Sequence, residues 1–267
     1  MANEEKGPTQ EALLGEIAGT LRTIRGWMTF LGIVVLLALI GGCIMATGAL
    51  GGTASIVSSF KSPSSYVAGI AYYDGYLYHS RSGEAIYETT TAGSVTNSIP
   101  CVRVGSALDR TALEFWSVSG SIINRISTGG SLLRSFYGPV TNRDIAYGGG
   151  FLWVTASTTY IYKLTVNGSA VNRWLFSGCN PTGICYDDGA LWLAERSRGE
   201  IWNVTTAGSI IGSYDIPQTP WGVATDGEYI WYSTLYDPSH EYGYVYKMLP
   251  LTTGIAPASL GKIKALF

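Results

Sequence analysis

Short apolar and aromatic runs separated by glycine turns fill the chain from about residue 55 onward, and the clearest set lies between Gly183 and Tyr214. Asp188-Gly189 divides the run Gly183–Tyr186 from Leu191–Ala194. A polar turn at Arg196–Gly199 precedes Ile201–Val204, and Ala207-Gly208 precedes Ile210–Tyr214. Runs this short, rich in β-branched and aromatic residues, are strands. Asp-Gly favours a two-residue hairpin turn because both central positions accept positive φ. The unit therefore reads strand, tight turn, strand, polar turn, strand, tight turn, strand.

The unit recurs along the chain. Gly69–Ser98 carries Asp74-Gly75, Tyr76-Leu77-Tyr78, Ile86-Tyr87 and Ala92-Gly93-Ser94. Asp144–Phe176 carries Gly148-Gly149 at its first turn and Asn167-Gly168-Ser169 at its last. Gly105–Phe136 is a worn copy, with Asp109-Arg110 at the first turn and Gly129-Gly130-Ser131 at the last. Gly222 opens a further copy with Asp226-Gly227, interrupted by the insertion Leu235–Tyr242. The last-turn glycines Gly93, Gly130, Gly168, Gly208 and Gly254 recur at roughly forty residues, the length of a four-stranded propeller blade. Each unit alone is a small sheet with two apolar faces and needs a neighbour on both sides, which a closed ring supplies. The expected fold is all-β, a five-bladed β-propeller preceded by one N-terminal transmembrane α-helix, with six blades as the alternative. Ser55–Phe60 resembles the fourth strand Ser209–Tyr214 and leads through Pro63 as that strand leads through Pro217. It is expected to complete the last blade. The rival for that slot is Ile255–Leu260, whose Pro257 is tolerable on an edge strand.

The pattern P-x-G-[IV]-x-x-D-G…LW…G-x-I…G-x-[IV], as in Pro181–Ile210 and Pro220–Gly254, resembles the repeats of NHL-type propellers and of streptogramin lyases. It is also similar to glutaminyl-cyclotransferase-like propellers, which have five blades. The resemblance covers about residues 55–255 and implies the architecture, but this fold hosts lyases, lactonases and binding modules alike. The lyases it resembles need a histidine general base and a glutamate near the funnel. Only His79 and His240 are present, and neither sits in the family's catalytic motif. Their blades adjoin once the ring closes, so with Glu195 or Glu241 they could form an acid/base pair. The expectation is that the chain is not an enzyme, with an extracytoplasmic lyase or lactonase as the alternative.

Ahead of the repeats, Trp27–Leu50 carries no charged residue and is long enough to cross a bilayer as a helix. Lys6, Arg22 and Arg25 precede it, and Lys61 is the nearest cation beyond it. The positive-inside rule then places residues 1–26 in the cytoplasm and the propeller outside the cell membrane. Ile40-Gly41-Gly42-Cys43 loosely resembles a lipobox, so a lipidated Cys43 and an ordinary cleaved signal are the alternatives to an uncleaved anchor. Leu14, Ile17, Leu21, Ile24, Met28 and Leu31 follow a three-four spacing. That Leu14–Leu31 seam suits a protein partner or self-association, or a helix lying on the inner membrane surface. The organisation expected is a cytoplasmic segment 1–26, a membrane span 27–50, a linker 51–54, a propeller 55–255 and a tail 256–267. So short a linker holds the ring close to the bilayer, with the face of Asp-Gly turns toward it and the opposite face outward.

Composition narrows the chemistry. Net charge is −2 and charged residues make up 13% of the chain, which gives no broad attraction to nucleic acid. No cofactor or metal is expected. Every glycine cluster falls at a repeat turn, there is no CxxC, and Asp74, Asp188 and Asp226 stand at separate hairpin tips where turn formation explains them. Cys179 and Cys185 either bridge a short loop or remain small buried thiols. Asn167 is the accessible candidate for N-glycosylation. Loops on a rigid scaffold carry binding, so the outward face supplies the site candidates. Trp221 comes first, just before an inner strand, with Tyr66, Arg81, Glu195, Arg196 and Arg198. The insertion adds Tyr236, Asp237, His240 and Glu241. The function expected is that of a membrane-anchored extracytoplasmic binding, scaffold or assembly module within a membrane complex or surface array.

Overall fold

Asp74 and Asp188 take φ values of 51° and 40°, and Gly75 and Gly189 after them take 86° and 91°. Positive φ at both central positions gives the tight hairpin whose twist matches the flanking strands. The computed structural model describes residues 50–64, 67–105, 107–176, 179–235 and 243–250. The seam Leu14–Leu31, the apolar segment up to Ala49, the tail 256–267, and Tyr66, Tyr236, Asp237, His240 and Glu241 lie outside the described residues. Among the described residues no helix is long and apolar enough to cross a membrane.

The described chain begins with strand β1 (Leu50–Lys61). The first blade is then β2 (Val67–Tyr73), β3 (Tyr76–Arg81), β4 (Ala85–Thr90) and β5 (Val95–Pro100). The second is β6 (Ala107–Arg110), β7 (Glu114–Ser119), β8 (Ile122–Ser127) and β9 (Leu132–Tyr137). The third is β10 (Asn142–Gly148), β11 (Phe151–Ala156), β12 (Tyr160–Leu164) and β13 (Ala170–Leu175). The fourth is β14 (Pro181–Asp187), β15 (Ala190–Glu195), β16 (Glu200–Thr205) and β17 (Ile210–Asp215). The fifth takes β18 (Val223–Thr225), β19 (Ile230–Ser233) and β20 (Tyr244–Pro250). Its outer strand is β1, which pairs antiparallel with β20 from Ala54↔Pro250 to Lys61↔Tyr244. The start of the ring thus closes its last blade, and the slot offered to Ile255–Leu260 is filled.

Apolar clusters fill the spaces between blades. Ile70, Leu77, Ala224, Trp231 and Val245, with Phe60 and Tyr72 against them, join the fifth blade to the first. Cys185, Trp192, Tyr214, Val223 and Tyr232 join the fourth to the fifth. A recurring contact fixes the spacing of the outer strands. A side chain on one outer strand covers the last-turn glycine of the next blade, so a Cβ on Gly93 would lie 2.5 Å from the Phe60 ring and one on Gly208 2.8 Å from Trp174. Both glycines also hold φ of 89°, which other residues avoid.

Three details differ from the sequence reading. In the third blade the turn is Gly149-Gly150, with φ of 61° and 80°, while Gly148 ends β10. In the second blade Asp109 and Arg110 belong to β6, and the turn is held by Thr111, whose hydroxyl oxygen accepts the Glu114 amide at 3.2 Å. The stretch 51–54 is strand rather than linker, and Leu50–Thr53 also pairs parallel with Gly212–Asp215 of β17. Cys179 and Cys185 form no disulfide. Cys185 packs in the cluster between the fourth and fifth blades, Cys179 in that between the third and fourth, so the sheet of blade four separates them.

Candidate functional site

Strand alternation puts the between-blade connections and the second turn of each blade at one end of the ring, and the tight hairpin turns at the other. At this loop end the inner strands β2, β10 and β14 each enter through a bulge. Hydroxyls of the second strand cap the amides there: Ser80 accepts from Gly69 at 3.2 Å, Thr155 from Asp144 at 3.0 Å and Ser233 from Gly222 at 3.0 Å. The preceding residues, Ala68, Arg143 and Trp221, therefore occupy equivalent places, with Thr182 in the fourth blade. A bulge re-aims its side chain. Thr182 is buried, and its hydroxyl points at the Ala194 and Pro220 carbonyls, 3.3 and 3.4 Å away. Arg143 and Trp221 are half-buried on either side of it.

Arg196 joins them from the turn after β15, with its guanidinium 4.9 Å from the centre of the Trp221 ring. Its charge also reaches Arg143. Burial first, and the Arg196 charge second, push the Arg143 pKa down from its ordinary value. Arg143, Arg196 and Trp221 thus gather at the loop end of blades three to five.

The other candidates are spent on their own turns. Glu195 is buried, and its two oxygens accept the Asn180 amide at 2.5 Å and the Arg198 amide at 2.7 Å. It braces the two connections of blade four. Arg198 lies 5.4 Å over Trp202, and Arg81 pairs with Glu84 at 2.9 Å. Asn167 is exposed at the tip of the β12–β13 hairpin, where its side-chain oxygen accepts from Arg134 at 2.6 Å. His79 is fully buried. Its Nε2 meets the Thr89 hydroxyl at 2.8 Å, its ring stands edge-on to Phe60, and burial pushes its pKa down to about 3. A neutral ring enclosed in this way has no access to a ligand, so it cannot serve as the general base of the acid/base pair considered above.

Sequence reasoning missed Arg143 and a carboxyl pair on the inner strands. Asp109 of β6 accepts the Tyr147 amide of β10 at 2.5 Å, and its other oxygen accepts the Arg110 amide at 2.8 Å. Asp144 of β10 accepts the Ile184 amide of β14 at 2.9 Å. The carboxyls thus staple neighbouring inner strands. Burial raises both, Asp109 to about 6, and the charge of Asp109 adds to the rise at Asp144. Among the described residues no group of three or more acidic, histidine or cysteine side chains is placed to hold a metal ion. A groove of about 470 Å³ between the first and second blades, lined in part by Val102, Arg103, Ile122, Phe136 and Tyr137, is a further concavity that the pattern did not announce.

Fold and site together define a five-bladed β-propeller with a basic and aromatic cluster at its loop end. No family model matches the chain, and no curated protein matches its sequence. Solved structures do. Glutaminyl cyclase of Myxococcus xanthus superposes with a TM-score of 0.61 at 10% identity, over 75% of this chain and 97% of that one. A streptogramin B lyase gives 0.45 at 21% identity, over 67% and 66% of the two chains. The WD40 propeller domain of Doa1 gives 0.48 at 13%, over 71% and 66%. The expected resemblance to a glutaminyl-cyclotransferase-like propeller holds at the level of the fold, which is all that 10% identity shows. One expectation is overturned here. The chain was read as a non-enzyme because the lyase pair is missing, yet the structure it matches with a TM-score of 0.61 is itself an enzyme. A ring of this build is a catalytic scaffold in that protein, so the missing pair is no ground for excluding catalysis.

Proposed function

We propose that this protein displays its propeller outside the cell on a single membrane span, and that the loop end of blades three to five binds a ligand or a partner protein. The proposed anchor is Trp27–Leu50, with residues 1–26 in the cytoplasm and the Leu14–Leu31 seam available to a second copy or a partner helix. The uncharged span and the cations before it support that orientation. The observation that carries the binding site is the Arg196–Trp221 contact at 4.9 Å between consecutive blades. An aromatic ring paired with a guanidinium on a rigid scaffold is a common anchor of binding surfaces.

The test is recovery of bound material after gentle detergent extraction of the full chain from its native membrane. Trp221→Ala is expected to lower that recovery several-fold while leaving the unfolding midpoint within about 1 kcal/mol of the parent. Undiminished recovery from a folded Trp221→Ala variant removes this surface from the account.

A further inference from the structure

One position of the third strand is equivalent in all five blades. There Tyr87, Asn124, Tyr162, Trp202 and Tyr246 pair across to Ser98, Ser135, Arg173, Ser213 and Ser59 of the outer strands. Four of these residues are aromatic. The rings of Tyr162, Trp202 and Tyr246 are buried in the clusters that join each blade to the one before it. In the second blade the residue is Asn124, so no ring reaches from this position toward the first blade.

The groove of about 470 Å³ between the first and second blades lies at this place, and Asn124 lines it with Val102, Arg103, Ile122, Ser135 and Tyr137. Small-molecule sites run from about 300 to 1,000 Å³. Its walls include two of the most exposed large apolar side chains among the described residues, Val102 at 79% and Tyr137 at 78%. Asn124 itself is only 3% exposed. Its Nδ2 donates to the Arg103 carbonyl at 2.9 Å, and its Oδ1 accepts from the Ser135 hydroxyl. A side-chain amide has two N–H donors and two acceptor sites, so one of each remains. Charge narrows the ligand further. Arg103 is exposed and has no ion-pair partner among the described residues, and no carboxylate lines the groove.

We infer that the groove binds a small aromatic carboxylate, its ring standing where the other blades place Tyr or Trp and its carboxylate on Arg103. A guanidinium fork matches the two carboxylate oxygens. Apolar walls around one polar amide suit a flat ring with a polar substituent. The site is separate from the Arg196–Trp221 surface and does not depend on it.

Calorimetric titration of the full chain in detergent tests this, with micelles alone as the blank. The aromatic probes are 4-hydroxyphenylacetate and indole-3-acetate, whose rings are those of the equivalent tyrosines and tryptophan. Cyclohexylacetate keeps the charge without the flat ring. One-site binding of at least one aromatic probe is expected, with cyclohexylacetate weaker. Arg103→Gln should weaken binding about fivefold or more. Asn124→Tyr, which gives the second blade the ring that the others carry, should abolish it. Arg173→Gln, on the outer strand of blade three, should leave it unchanged. Because Arg103 is exposed, its variant decides the question should Asn124→Tyr fail to fold. The site is overturned by no saturable binding of either aromatic probe, by equal binding of cyclohexylacetate, or by binding that Arg103→Gln or a folded Asn124→Tyr leaves intact.

Discussion

At the residue scale, burial of His79 and of Asp109 acts on stability in opposite directions. His79 has its pKa lowered from 6.5 to about 3 by burial. The unfolded chain therefore takes up the proton first, and the stability present above pH 6.5 is lost as pH falls toward 3. The full shift corresponds to on the order of 4–5 kcal/mol. Asp109 is raised from 3.8 to about 6, so the folded state holds the proton more tightly. Its contribution is greatest below pH 3.8 and declines as pH rises to about 6, by roughly 3 kcal/mol. Between these limits the two slopes oppose each other, and single variants separate them. His79→Leu should flatten the loss of stability on acidification. Asp109→Asn should steepen the rise of stability between pH 4 and 6, because one of the carboxyls that oppose the histidine slope is then gone. Denaturation midpoints across pH 3.5–7 check both, and profiles parallel to the parent would contradict the burial of these groups.

At the scale of elements, the ring closes through β1, and Phe60 is the side chain that ties it in. It packs on Gly93 of the first blade and edge-on to His79. Phe60→Ala should cost about 2–3 kcal/mol, less than a fully enclosed ring because Phe60 is half-buried; urea unfolding followed by tryptophan fluorescence measures it, and a loss below about 0.5 kcal/mol would mean β1 is not a structural strand. Much of this level was legible in the sequence. Asp-Gly and Ala-Gly turns demand positive φ, and the repetition of those turns gave the blades and the closing strand. Where the turn chemistry degenerates, the reading slipped. The run Gly148-Gly149-Gly150 fits a turn in either frame, and packing of Tyr186 against Gly148 decides it. In the second blade no glycine marks the first turn, so Asp109-Arg110 reads as a turn in the sequence although both residues continue β6. Arg143 stayed hidden for a related reason. Its meaning lies in a bulge and in its equivalence to Trp221 in another blade, and neither is a property of its immediate neighbours. Cys179 and Cys185 looked close enough to bridge because sequence distance does not reveal that they face opposite sides of one sheet.

At the scale of the molecule, the proposed membrane anchor makes a prediction about sidedness. In the proposed arrangement the loop end is reachable from outside the cell. Thr158, exposed in the turn after β11 at that end, offers a direct check on sidedness. Thr158→Cys should react with a membrane-impermeant maleimide in intact cells well above the parent level, since Cys101, Cys179 and Cys185 are buried. Labelling only after lysis would place the propeller inside. The two ends of the ring also differ in what they offer a partner, with Arg143, Arg196 and Trp221 at one and exposed apolar turn residues such as Leu113 at the other. Site-specific photo-crosslinking therefore tests the central claim most directly. With a photoreactive amino acid at position 197, 158 or 113 of the full chain in its native membrane, adducts are predicted from 197 and 158, both exposed at the loop end, and not from 113. Adducts from 113 alone would contradict the account.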